Sequence, residues 1–150
     1  MTRMFGYFLS WMQDKTSSVY VIATANNADN LPPELKRKGR FDEIFCVNLP
    51  TAEERKAIFK VHLKKKGHGH LEPSEKLIEN TKGFNGADIE AVVNEAMEEV
   101  FINKKTLTIE VLEKIALQTI SISKSCKQQI ENMKKVFAES SFKDATTGKI

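Results

Sequence analysis

The sequence predicts an α/β protein that is mostly helical, with two short strands near its N-terminal end and a series of helices after them. Two β-branched apolar runs, Val19–Ala23 and Ile44–Val47, have the composition of buried strands. From Thr51 onward, apolar residues recur instead at the helical spacing i, i+3, i+4, i+7. The chain has 150 residues, of which 41% are hydrophobic. That is enough to build a core without disulfides or a metal.

The segment up to Asn27 predicts one helix and one strand. An amphipathic helix is expected over residues 4–13, because four apolar residues share one helical face: Phe5, Phe8, Leu9 and Met12. The apolar run Val19–Ala23 then predicts a buried strand, within a strand segment 19–25 that ends at the pair Asn26-Asn27.

A loop and a second strand complete the region up to residue 50. The run Leu31-Pro32-Pro33 cannot continue a strand or lie inside a helix. A cationic cluster follows at residues 36–40, and the second strand lies within 43–48 until Pro50 ends it.

The next region predicts two helices. Thr51 and Glu54 have the spacing of a capping box and start a helix that runs to Lys66. Its inward face is predicted to contain Ala57, Ile58, Val61 and His62. Residues 67–70 form a loop, and a short helix opens at Pro73-Ser74 and ends before Gly83.

The strongest helical pattern follows, and it starts at Asn85 or Gly86. Its apolar stripe consists of Ile89, Val92, Val93, Ala96, Met97, Val100 and Phe101. Thr108 is expected to cap the next helix, whose inward residues are Val111, Leu112, Ile115, Ala116 and Thr119. A last helix is predicted over residues 124–138, and the tail after Ser140, which has no periodicity, is expected to be frayed.

Composition excludes several classes of protein. No apolar stretch is long enough to span a membrane, and the N-terminal segment does not resemble a secretory signal. Cys46 and Cys126 are not spaced as in a CxxC metal-binding or redox motif. This favours free thiols in a reducing cytoplasm. The pair His68 and His70 has no further ligands at useful spacing, so we expect no metal site. A net charge of +3 is far from the basic stripe of a nucleic-acid binder, and nucleic acid is an unlikely partner.

Several motifs in fixed order carry a resemblance to one family. The run from Val21 to Leu31, VIATANNADNL, precedes the segment PELKRKGRFD at residues 33–42. Further on lie Leu49-Pro50, a helix start with Glu53-Glu54-Arg55, and the segment GFNGADI at residues 83–89. Together these motifs closely resemble AAA ATPases over about residues 3–118.

The resemblance implies a role for particular residues. Asn26 matches the sensor-1 asparagine, whose uncharged amide would position water against the γ-phosphate. Arg37 and Arg40 match the arginine fingers, whose guanidinium groups would reach the nucleotide of a neighbouring subunit. His62 matches a lid histidine near the ribose or base, and Gly86-Ala87 match a small-residue turn that contacts adenine.

Each of these residues also has a simpler interpretation. Asn26 could only end a strand, and Arg37 and Arg40 could lie in a solvated basic loop. Their joint occurrence in order and spacing favours the family roles. For His62 and Gly86-Ala87 the two interpretations remain open, since a core histidine and a close-packed helix start fit equally well.

The resemblance implies a fold in three parts. Residues 1–50 would be the C-terminal remnant of a P-loop NTPase core with about two strands, 51–120 a AAA helical lid, and 121–150 a C-terminal helix and tail. The sequence has no G-x-x-x-x-G-K-[ST] motif and no apolar run ending in Asp-Glu. The family's P-loop strand would lie between the two strands predicted here, so the sheet is expected to be incomplete and poorly stable alone.

The function implied is the C-terminal part of a AAA ATPase. Its parent would bind ATP and Mg²⁺ and hydrolyse ATP in a ring of AAA subunits, coupled to remodelling of an unknown macromolecule. The chain alone is expected to be inactive, while still able to offer Arg37 and Arg40 to a neighbour. The alternative is a non-catalytic helical module that binds a protein partner and is indifferent to nucleotide.

Overall fold

The structure is a computed structural model that describes residues 2–26, 41–121, 127–139 and 143–145. Its elements, in chain order, are α1 (Thr2–Asp14), β1 (Phe45–Cys46), α2 (Ala52–Lys65), α3 (Glu75–Asn80), α4 (Gly86–Ile102), α5 (Ile109–Gln118), α6 (Lys127–Glu139) and β2 (Lys143–Asp144). The predicted fold class is confirmed: the chain is mostly helical, with a small parallel sheet of two strands. The described residues fall into two compact units, one within 1–47 and 131–150 and the other spanning 48–130.

The first unit contains the sheet, in which β1 and β2 run parallel. Phe45 is opposite Lys143, and Cys46 is opposite Asp144. The prediction of a frayed tail after Ser140 is therefore wrong for residues 143–145, because their backbone finds a partner in β1. Residues 140–142 and 146–150 lie outside the described part of the chain.

The predicted strand at Val19–Ala23 is absent, which corrects the sequence analysis. Among the described residues, no other strand pairs with the backbone of this stretch, and its side chains Tyr20 and Ile22 are 90% and 80% exposed. Apolar, β-branched composition favours a strand only where a neighbouring strand can take its backbone hydrogen bonds. Without such a neighbour, the composition alone does not produce a strand.

The second unit holds the hydrophobic core, which α2, α3, α4 and α5 build together. The capping box at the start of α2 is confirmed: the Thr51 N–H donates to Glu54 Oε2 at 2.8 Å, and the Glu54 N–H donates to Thr51 Oγ1 at 3.3 Å. The inward face of α2 differs from the prediction. Phe59 and Leu63 are fully buried, whereas Val61 is 51% exposed.

The apolar stripe of α4 is confirmed from Ile89 to Val100, and it forms the centre of the core. Phe101 does not belong to it, because this side chain is 84% exposed. The helix ends one residue later, and the chain turns at Lys104, whose φ is 50°. Leu107, from the loop after that turn, is buried in the core.

The inward face of α5 agrees with prediction, since Leu112, Ile115 and Ala116 are buried. Cys46 is a buried free thiol, as expected, and Cys126 lies outside the described residues. Among the described helices, none is long and apolar enough to cross a membrane.

Candidate functional site

The N-terminus of α4 is fixed by a reciprocal cap. The Asp88 N–H donates to Asn85 Oδ1 at 2.8 Å, and the Asn85 N–H donates to Asp88 Oδ2 at 3.1 Å. Asn85 has the extended backbone of an N-cap residue, with φ −94° and ψ −177°. This capping box explains why the helix begins at Gly86 and not earlier.

Two backbone donors remain at this helix start. Gly86 and Ala87 are the first two helical residues, and their N–H groups have no acceptor among the described residues. A Cβ placed on Gly86 would meet no atom within 4 Å, so the space beside this residue is open. The first turn of α4 can therefore donate hydrogen bonds to a bound group.

The charge near these donors limits what they can bind. The Asp88 carboxylate lies in the same turn and is committed to the cap. It repels an anion that the helix dipole alone would attract. The turn is suited to a neutral acceptor, such as a heterocyclic ring nitrogen or a hydroxyl, better than to a phosphate.

His62 of α2 lies next to α4 and contacts Glu90. The imidazole Nδ1 is 3.8 Å from Glu90 Oε1, and the side chains are 15% and 55% exposed. That separation is too long for a hydrogen bond, and it becomes an ion pair only when the imidazole is protonated. Glu90 follows Gly86 by about one helical turn, a rise of ~6 Å. The structure thus brings His62 and the start of α4 into one region of the second unit.

A buried arginine organises the start of this unit. The Arg55 guanidinium donates from Nη1 to the Pro50 carbonyl at 2.9 Å and from Nη2 to the Ile78 carbonyl at 3.0 Å. Burial lowers the pKa of Arg55, while the Glu79 carboxylate opposes that effect. The residue ties the segment before α2 to the end of α3, and so fixes where the helical unit begins.

The other predicted site residues fall in the first unit or outside the described residues. Asn26 belongs to the first unit, where its side chain is exposed at the end of the described segment. Arg37 and Arg40 lie outside the described residues. Within the described part of the chain, no group of three His, Cys, Asp or Glu residues could hold a metal ion.

Two residues of this region were not singled out as functional by the sequence. Glu90 was visible only as an acidic residue near the helix start, and nothing in its spacing indicated contact with His62. Arg55 was part of a motif, but its burial could not be inferred, since arginines are rarely buried.

The chain is similar to known proteins along most of its length. Residues 1–49 match the family described as "ATPase family associated with various cellular activities (AAA)". An "Uncharacterized AAA domain-containing protein ycf46" of Guillardia theta is 41% identical over 134 residues, which are 87% of this chain and 26% of that protein. A protein of the same name in Trieres chinensis is 44% identical over 110 residues, 72% of this chain and 22% of that protein.

A second kind of relative shares a shorter region. The "ATP-dependent zinc metalloprotease FtsH" of Mesoplasma florum is 45% identical over 80 residues, 53% of this chain and 12% of that protein. No solved structure matches the chain. The chain spans about a quarter of the length of the AAA domain-containing relatives. Its residues 1–49 match the AAA family, and most of the chain is similar to a portion of these AAA domain-containing proteins.

Proposed function

We propose that this chain contributes the C-terminal part of a AAA ATPase domain, in a protein that binds and hydrolyses Mg-ATP within a ring of like subunits. The support is the ordered set of family motifs and the similarity to AAA and FtsH proteins. In this proposal Asn26 orients the attacking water. Arg37 and Arg40 stabilise the phosphoryl charge at the neighbouring subunit's nucleotide.

The observation that carries the proposal is the open first turn of α4. The N–H groups of Gly86 and Ala87 have no acceptor among the described residues, the space beside Gly86 is open, and the capping carboxylate of Asp88 lies in the same turn. This combination suits the neutral edge of a purine ring, which presents ring nitrogens as acceptors and an amino group as a donor. We therefore assign these two residues to adenine contact.

His62 would complete the base and ribose side of the site. Its side chain on α2 is only 15% exposed, and Glu90 of α4 lies 3.8 Å from Nδ1. An imidazole in that position can stack on a base or donate to a ribose hydroxyl.

Mg²⁺ has no assigned ligand in this proposal. The described residues contain no cluster suited to it, and the sequence has no phosphate-binding loop. When bound, Mg²⁺ would neutralise charge on the phosphates, and this chain would supply the base, ribose and arginine contacts. The macromolecule remodelled is unspecified, and a reducing cytoplasmic compartment belongs to the proposal through the free thiol Cys46.

The decisive variant is Arg40→Ala in the full-length assembly. We expect its ATPase rate to fall at least about tenfold with nucleotide affinity unchanged, since a finger acts on the transition-state charge. Lys38→Ala, in the same basic cluster, is the matched control and should keep most of the rate. Equal rates for the two variants would remove Arg40 from the catalytic role.

A second candidate function is supported by a separate observation. Four large apolar side chains in the second unit are strongly exposed: Phe101, Ile102, Leu117 and Ile120. Exposed apolar side chains mark a protein-binding surface where they form one contiguous patch. This alternative predicts that a circular-dichroism melt is unchanged by Mg-ATP, whereas the ATPase proposal predicts stabilisation of the full-length protein.

A further inference from the structure

The C-terminal segment contacts β1 through both backbone and side chains. The Lys143 N–H donates to the Ile44 carbonyl at 3.0 Å, and the Ala145 N–H donates to the Cys46 carbonyl at 2.9 Å. Lys143 Nζ also forms an ion pair with Glu43 Oε1 at 2.8 Å. The two backbone hydrogen bonds and the ion pair are thus consistent with a single register of β2 against β1, in which Cys46 is opposite Asp144.

We propose that residues 143–145 form an intramolecular strap, which adds a strand to the edge of β1 and shields Cys46 until it is released. The strap is not part of the nucleotide site proposed above and does not depend on it. Its occupant is a segment of this same chain, more than ninety residues downstream of the strand that it covers.

The strap has the features of a reversible closure. Its ladder with β1 is only two residue pairs long among the described residues, and its ion pair is solvent-accessible on both sides, with side chains 36% and 48% exposed. Exposed ion pairs add little stability, and short peripheral strands open locally at low free energy. A paired strand this short can therefore detach without unfolding the helical core, which lies in the other unit.

Cys46 reports the state of the strap. It is only 5% exposed, and burial raises the pKa of its thiol, as does the adjacent Asp144 carboxylate. Both effects keep the sulfur protonated and unreactive while the strap is in place. Release removes Asp144 and opens the β1 edge, so the thiol becomes accessible and more readily ionised.

The first test measures thiol labelling of the whole chain in a Cys126→Ser background. Ala145→Pro deletes the ladder donor to Cys46, and Ala145→Ser keeps it. We expect 5,5′-dithiobis(2-nitrobenzoic acid) to label Cys46 at least about tenfold faster in the proline variant than in the serine variant, with helical ellipticity unchanged. Equal labelling rates at equal ellipticity would overturn the proposal.

A second test needs no destabilised variant. Phe45→Cys with Lys143→Cys places thiols at directly opposed positions, whereas Phe45→Cys with Ala145→Cys shifts the register by two residues. In a background of Cys46→Ser and Cys126→Ser, mild oxidation should link the first pair much faster, within a single chain. Equal rates for the two pairs, or linkage only between chains, would contradict an intramolecular strap.

Discussion

Arg55 allows the sharpest prediction about stability, because its contacts are few and buried. Only 6% of the residue is exposed, and its guanidinium donates to the carbonyls of Pro50 and Ile78. Replacement by Met removes the charge and both donors while keeping most of the apolar volume.

The expected loss in the free energy of unfolding on Arg55→Met follows from those contacts. Hydrogen bonds from a charged donor contribute about 1.5–3 kcal/mol each, or roughly 3–6 kcal/mol for two. The Ile78 carbonyl keeps a second donor in Thr81 Oγ1 at 3.1 Å, so it is not left unsatisfied. Arg55 Nε is buried without an acceptor among the described residues, which offsets part of the gain. We expect a net loss of about 2–3 kcal/mol on Arg55→Met.

Urea unfolding of the chain, followed by far-UV circular dichroism, measures this loss. Lys56→Met is the matched control, since Lys56 is the next residue of the same helix and is exposed. Its expected effect is within about 0.5 kcal/mol of zero. If Arg55→Met and Lys56→Met changed the free energy of unfolding equally, the structural role of Arg55 would be refuted.

Three further predictions concern the same unit. Asn85→Ala removes the cap of α4 and should lower the free energy of unfolding, measured in urea, by about 1 kcal/mol. The control Asn103→Ala, at the exposed other end of the same helix, should lower it less. Gly86→Leu should leave the melting temperature nearly unchanged, since the space beside Gly86 is open. The same variant should weaken ATP binding to the full-length protein at least about fivefold, measured by isothermal titration calorimetry. An unchanged affinity would argue against adenine contact at this position. Lys76 and Ser74 hold the pKa of Glu113 in the folded protein below its ordinary value near 4.5. The ionised Glu113 therefore contributes its full stabilisation above pH 4.5. This stabilisation is lost as the pH falls through the lower pKa of the folded state. Thermal melts of Glu113→Gln should therefore lie below those of the parent chain at pH 7 and converge with them in acid, and a constant gap would contradict this.

The helical half of the fold could be predicted because its signals are local. The capping box at Thr51, the helix start at Asn85 or Gly86 and the stripe of α4 all depend on residues within one or two turns. The errors within it fall where a side chain's partner is distant in sequence. Arg55 is buried because carbonyls of Pro50 and Ile78 receive it, and no periodicity indicates that.

The strands could not be predicted in the same way. The run Val19–Ala23 has strand composition but no strand, whereas Lys143–Asp144 has polar composition and forms one. Whether each segment forms a strand depends on whether another strand, which can be about a hundred residues away, pairs with it. The composition of the segment carries no information about that partner. For the candidate site, the family resemblance pointed to His62 and Gly86-Ala87, but only the packing of α2 against α4 showed Glu90 beside the histidine.

Under the proposed function, Arg37 and Arg40 of this chain act on a nucleotide that is bound by a neighbouring AAA subunit. Mixing two inactive forms of the full-length protein tests it most directly. One form carries Arg37→Ala and Arg40→Ala, and the other is disabled in its own phosphate-binding loop. Because each form keeps what the other lacks, mixed assemblies should regain ATP hydrolysis well above either form alone. No recovery in assemblies shown to contain both subunits would contradict the account.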